Sequence, residues 1–185
     1  MWRLELRKLE HLKTAFANIS PADKPILDNI VRPDPLWLAG FTSGEGCFLI
    51  NVHKAKTKVG VSVRLVFQLT QHHRDEQLMK SLIEYFECGN LYKDRNVWEY
   101  RVEKFSDIET KIIPFLTSPP RFTPWALKGV SEARVSKNKI QGVKLLDFLD
   151  WCKAGELIKT KAHLSEQGLD SIRKIKAGLN KERLL

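Results

Sequence analysis

The chain has 185 residues, of which 43% are hydrophobic and 29% charged, and its 31 Lys+Arg against 22 Asp+Glu give a formal net charge of +9. That excludes general disorder and leaves enough length for one domain with appendages, since about 70% of the unfolded surface is buried near this size. No apolar run reaches the roughly 20 residues of a membrane helix; Cys47, Cys88 and Cys152 form no disulfide framework and no CxxC pair, so a reducing compartment is expected, and a folded, strongly basic domain points to a polyanion.

Residues 1–33 read as an N-terminal arm. Leu4, Leu6, Leu9 and Leu12 mix with Arg3, Arg7, Lys8 and Lys13, while Glu5 and Glu10 argue against an acid-poor transit peptide. Pro21, Pro25, Pro33 and Pro35 then punctuate a linker. The domain proper spans residues 34–185. Asp34-Pro35 is a helix start, an N-cap carboxylate before a proline at the first helical position. The helix runs to about Glu45, and Gly46 ends it. Gly40 and Gly44 each cost about 1 kcal/mol against Ala, but their four-residue spacing lets another backbone come close.

A strand over 47–54 alternates Phe48, Ile50 and Val52 with Leu49, Asn51 and His53. A second, over 61–71, sets Val61, Val63, Leu65, Phe67 and Leu69 against Ser62, Arg64, Val66, Gln68 and Thr70. One face should be buried and the other open, as in an antiparallel sheet covered on one side. Asp75 to Phe86 has helical spacing and is stopped at Cys88-Gly89. A second hairpin follows, with its turn at Asp94-Arg95-Asn96 and with Trp98, Tyr100 and Val102 facing inward. Ser106 to Glu109 matches a capping box and opens a helix carrying Ile108, Ile112, Phe115 and Leu116. Residues 117–139, with Pro119, Pro120 and Pro124, break the pattern and read as an insertion. Leu145, Leu149, Cys152 and Leu157 then define the inward face of a helix, and Leu169, Ile172 and Ile175 that of a last one, which carries Arg173, Lys174 and Lys176 outside. The expected class is α+β: an antiparallel β-sheet with helices packed on one face.

The segment Leu38 to Gly46 (LAGFTSGEG) resembles the LAGLIDADG motif of homing endonucleases. Phe67 to Gln71, Lys104 to Ile108, Ile113 to Leu116, Gly142-Val143-Lys144 and Ile172 to Gly178 are similar to later blocks of that family, in order, so the likeness covers most of residues 34–178. It is greatest to the second half of fungal mitochondrial single-chain enzymes, and Leu12 to Phe16 is similar to the tether between their halves. The resemblance implies a homing-endonuclease-like fold and site-specific hydrolysis of phosphodiester bonds in double-stranded DNA. It also implies an origin in a fungal mitochondrion, organelle-encoded within an intron.

In that family two such helices pack side by side, each ending in one acid at the DNA surface. By this resemblance Leu36, Gly40, Phe41 and Gly44 are expected at the helix interface, and the partner is a second copy (a homodimer) or a second LAGLIDADG half. Glu45, with the Gly44 backbone carbonyl, is expected to ligate Mg2+ (or Mn2+), ions that take hard oxygen donors. Gln71 is expected to order water and Lys144 to offset phosphate charge, while Ser43 replaces an acid that is not the essential ligand. Base reading is assigned to the open sheet face: Asn51, His53, Lys54, Ser62, Arg64, Gln68, Thr70, Tyr92, Lys93, Arg95, Glu99 and Arg101. Lys56, Lys58 and the C-terminal lysines would meet phosphates. His72-His73 could suggest zinc, but adjacent strand residues should point apart. One motif is half of a complete active site. The other reading is therefore a catalytically retired member that binds structured RNA, as a maturase or a structural component of a mitochondrial ribonucleoprotein such as the mitoribosome.

Overall fold

A computed structural model describes residues 33–56, 59–117 and 140–181. The arm over 1–32, Lys58, and the insertion except Thr117 lie outside the described residues. Helix α1 spans Pro35–Glu45, strand β1 Gly46–Lys54 and β2 Val61–His72. A 3-10 turn at His73–Asp75 leads into α2, Glu76–Phe86. The second hairpin is β3, Asn90–Asp94, and β4, Val97–Val102. Helix α3 opens at Phe105–Asp107, passes through a π turn at Ile108–Ile112 and closes in Ile113–Thr117. Helix α4 is Val143–Lys159 and α5 is Glu166–Gly178.

The strands form one antiparallel sheet in the order β1-β2-β4-β3, with helices on one face. The core lies between the layers. Phe48 and Ile50 of β1, Leu65, Phe67 and Leu69 of β2, and Tyr100 and Val102 of β4 meet Met79, Leu82, Ile108, Phe148 and Trp151 from the helices. The aromatic rings pack tilted or edge-on at centroid separations such as 5.2 Å for Phe48 and Trp151, as their quadrupoles favour. The edge strand β1 is tied to the C-terminal part of the chain through its backbone. The Trp151 indole N–H donates to the Leu49 carbonyl at 3.0 Å, and the Asn180 amide donates to the Phe48 carbonyl at 2.9 Å.

Several sequence expectations change here. Asp34 caps α1 as expected, its carboxylate accepting from the Leu36 and Trp37 N–H groups at 2.8 and 2.9 Å. Gly46 ends that helix for a reason other than handedness. Its φ is −70°, and a Cβ there would stand 2.3 Å from the Thr42 carbonyl oxygen, so no larger residue fits. The capping box at Ser106 does not form: the N-cap is Lys104, and the Ser106 carbonyl accepts from the Thr110 hydroxyl at 2.7 Å. The π turn precedes Pro114, which has no N–H to give an ordinary i−4 bond; the Ile113 N–H reaches back to Ile108 instead. The inward face of α4 is also rotated. Phe148, Trp151 and Ala154 are buried, Leu145, Cys152 and Leu157 only flank the core, and Leu149 is 40% exposed.

Candidate nucleic-acid interface and acidic helix end

Glu45 is the last residue of α1 and is exposed. Among the described residues its carboxylate has neither an ion-pair nor a hydrogen-bond partner. The same helix buries Leu38, Ala39 and Thr42 toward the sheet and leaves its other side open. That side carries Leu36, Gly40 and Gly44, together with Trp37, which is 49% exposed and stacks at 5.2 Å on Phe41, itself half-buried against the core. A Cβ placed on Gly40 or Gly44 would meet nothing within 4 Å. Thr42 and Ser43 return their hydroxyls to the Leu38 and Ala39 carbonyls, so neither presents a free donor.

Lys144 begins α4 beside this helix end. It lines a cavity of about 550 Å³ together with Ser43, Asp147, Asn180 and Lys181. Burial pushes the Cys47 thiol above its ordinary range, with Lys144 pulling it down and Asp147 pushing it up, so both charges act within two residues of Glu45. Asp147 is 2% exposed and accepts from the Asn180 N–H at 3.3 Å. Asn180 thus ties the chain after α5 to both α4 and β1. No local pattern announces this clip, because its members are 33 residues apart. Gln71 lies two residues beyond Leu69, the β2 partner of Gly46, at the same end of the sheet as Glu45. Its side-chain oxygen accepts from the His72 N–H at 2.9 Å.

The sheet face opposite the helices carries most of the polar residues expected there, in register. Asn51 pairs with Arg64 and His53 with Ser62. A longer row crosses the sheet through Cys47, Gln68, Arg101 and Asn90, and another joins Thr70, Glu99 and Tyr92. Arg101 pairs with Glu99 and lies 5.2 Å from the Tyr92 ring centroid, Arg64 meets Glu103 at 3.4 Å, and Gln68 donates to Thr70 at 3.1 Å. Arg95 sits at the hairpin turn with φ +49°, and Lys56 is exposed beyond β1.

Two residues do not belong to this face. Lys93 pairs with Trp98, on the helix side, and its ammonium lies 5.5 Å from that ring's centroid. Lys54 has the parity of Phe48 and Ile50 and is exposed only because the strand ends there. Strand period two decides both. The histidine pair also differs from expectation. The His72 and His73 rings are 4.2 Å apart, and His72 Nδ1 accepts from the backbone N–H and Nε–H of Arg74. Desolvation first, then His73 and Arg74, lowers the His72 pKa. Cys47, Leu49 and Asn90 also lie on the open face but were left out of the base-reading set, although strand alternation places them with it.

A family model described as LAGLIDADG endonuclease matches residues 38–128. A probable intron-encoded endonuclease 2 of Neurospora crassa is 35% identical over 180 residues, covering 91% of this chain and 34% of the relative. A probable intron-encoded endonuclease 3 of the same fungus is 32% identical over 165 residues, covering 87% and 27%. Among solved structures, the I-SmaMI LAGLIDADG homing endonuclease bound to cleaved DNA superposes with a TM-score of 0.74 at 42% identity, covering 95% of this chain and 53% of that one. I-LtrWI bound to target DNA gives 0.73 at 31% identity, with the same coverages. The chain thus spans about a third of the curated relatives' length and about half of these structures.

Proposed function

The chain belongs to the LAGLIDADG endonuclease family, and on that footing we propose that it is a site-specific, metal-dependent DNA endonuclease of homing type. It acts as a homodimer or beside a second LAGLIDADG half. The observation that carries this reading is Glu45: a carboxylate without a partner among the described residues, at the end of a helix whose other face is apolar, glycine-spaced and open.

The donor chemistry fits Mg2+ (or Mn2+). Glu45 offers a carboxylate and Gly44 a carbonyl, both hard oxygens, and both residues are exposed. In this reading one copy supplies part of a donor set and a second helix end supplies the rest. When bound, such ions activate water and neutralise charge at a phosphodiester. Lys144 places a fixed cation beside the same helix end, where it faces the phosphate. Gln71 orients the attacking water. Arg64, Gln68, Asn51 and Arg101 on the open face meet base edges in the major groove, while Lys56 and the lysines of α5 set register on phosphates. The relatives from fungal introns support a mitochondrial setting for this activity.

The test is Glu45→Gln, which keeps size and polarity but removes the charge. Nicking of a selected duplex by wild type in Mg2+ should vanish in the variant, with binding in Ca2+ nearly unchanged. Cleavage surviving in the variant would refute the role of Glu45. A wild type that cuts no duplex yet binds structured RNA tightly would move the reading to a retired, RNA-binding member of the family.

A further inference from the structure

The open face of the sheet carries an apolar cross-strand pair amid polar side chains, well away from Val97 near the hairpin turn, the other valine of that parity. Leu49 of β1 pairs with Val66 of β2, and both side chains point away from the helices. Neither helps the core: Leu49 and Val66 have the parity of Asn51, Arg64 and Gln68. Val66 is 1% exposed, closed over by its own face, whereas Leu49 remains partly exposed above the sheet. The row is flanked by the Asn51–Arg64 pair on one side and by the Cys47–Gln68 pair on the other. A buried valine therefore props a leucine at the middle of the surface that the polar side chains share.

We propose that Leu49, supported by Val66, is a specificity-determining residue that reads the 5-methyl group of a thymine in the major groove. The proposal rests on the reading of this face as the DNA interface. In the major groove the thymine methyl is the apolar feature of a base pair, and apolar side chains recognise it by contact. Leu49 has no donor or acceptor to offer a base. Its neighbours Asn51, Arg64 and Gln68 do, so hydrogen-bonded readout on either side brackets a position read by shape and apolarity. Successive residues on one strand face are about 6.8 Å apart, close to two base-pair steps of 3.4 Å. The methyl-read position thus fits between positions read by hydrogen bonds. Cytosine lacks the group and is disfavoured at that position; 5-methylcytosine restores the contact.

The experiment uses the full chain and a duplex selected by it from a randomised pool. Each thymine is replaced singly by deoxyuridine, which deletes only the methyl. Wild-type binding should weaken about fourfold at one position, the factor expected for one buried methyl-sized group. Leu49→Ala should bind the thymine duplex correspondingly less well and show no further loss with deoxyuridine there. Leu49→Met, which keeps the volume, should retain the loss. Selection of a duplex with a flat deoxyuridine scan would overturn the role of Leu49 while leaving DNA binding in place. Failure to select any duplex would overturn the DNA reading and this inference together.

Discussion

Tyr100 shows how one side chain can serve both layers of the molecule. Its ring is fully buried, stacks near Phe86 at 6.0 Å, and its hydroxyl donates to the Cys88 carbonyl at 2.8 Å. The same ring explains Gly89, whose φ is +84° and where a Cβ would stand 2.6 Å from it. Tyr100→Phe should cost about 1–3 kcal/mol by leaving that carbonyl without its donor, read as a lower urea midpoint with unchanged slope. Burial also pushes the Cys152 thiol up to about 12 from 9.0. The folded state therefore holds this proton more tightly than the unfolded chain. The associated stability is fully present below about pH 9 and is lost as pH rises toward 12. The thermal midpoint should fall across that window, and Cys152→Ala should flatten the fall.

At the scale of elements, α4 is the instructive case. It carries apolar residues around much of its circumference, so periodicity is a weak guide to its inward face, and the expected Leu145, Leu149, Cys152 and Leu157 set is not the one buried. Contact with β1 selected Phe148 and Trp151, because only there do large rings meet Phe48 and an indole reach the Leu49 carbonyl. Trp151→Ala should therefore cost about 3–5 kcal/mol, whereas Leu149→Ala, at an exposed site, should stay within about 0.5 kcal/mol. Chemical unfolding of both variants decides between the two faces. In β2 no such ambiguity arose, since strict alternation allows a single inward set.

At the scale of the whole molecule, the proposed function puts a second helix against the open face of α1. Gly40→Leu should raise the chain's own stability by somewhat under 1 kcal/mol, because it improves helix propensity and meets nothing within 4 Å. It should also abolish association and cleavage by blocking close approach of a second helix. Sedimentation equilibrium and thermal melts separate the two effects. With a net charge of +9, binding to duplex DNA should fall linearly with the logarithm of salt concentration as counterions return. Changes at Lys174 or Lys176 should reduce that slope for all sequences alike.

By itself the sequence determined the start and end of α1, the two hairpins, the buried face of β2 and the acid at the helix end. Each is a local matter: a carboxylate before proline, alternation of period two, and a motif nine residues long. Only the tertiary structure decided which side of α4 turns inward, that Lys93 and Lys54 leave the open face, and that Asp147 and Asn180 clip the chain's end beside Lys144. Those outcomes depend on which surfaces meet across 33 to more than 100 residues of chain, where burial and hydrogen-bond satisfaction, rather than local periodicity, choose among patterns that are equally permitted.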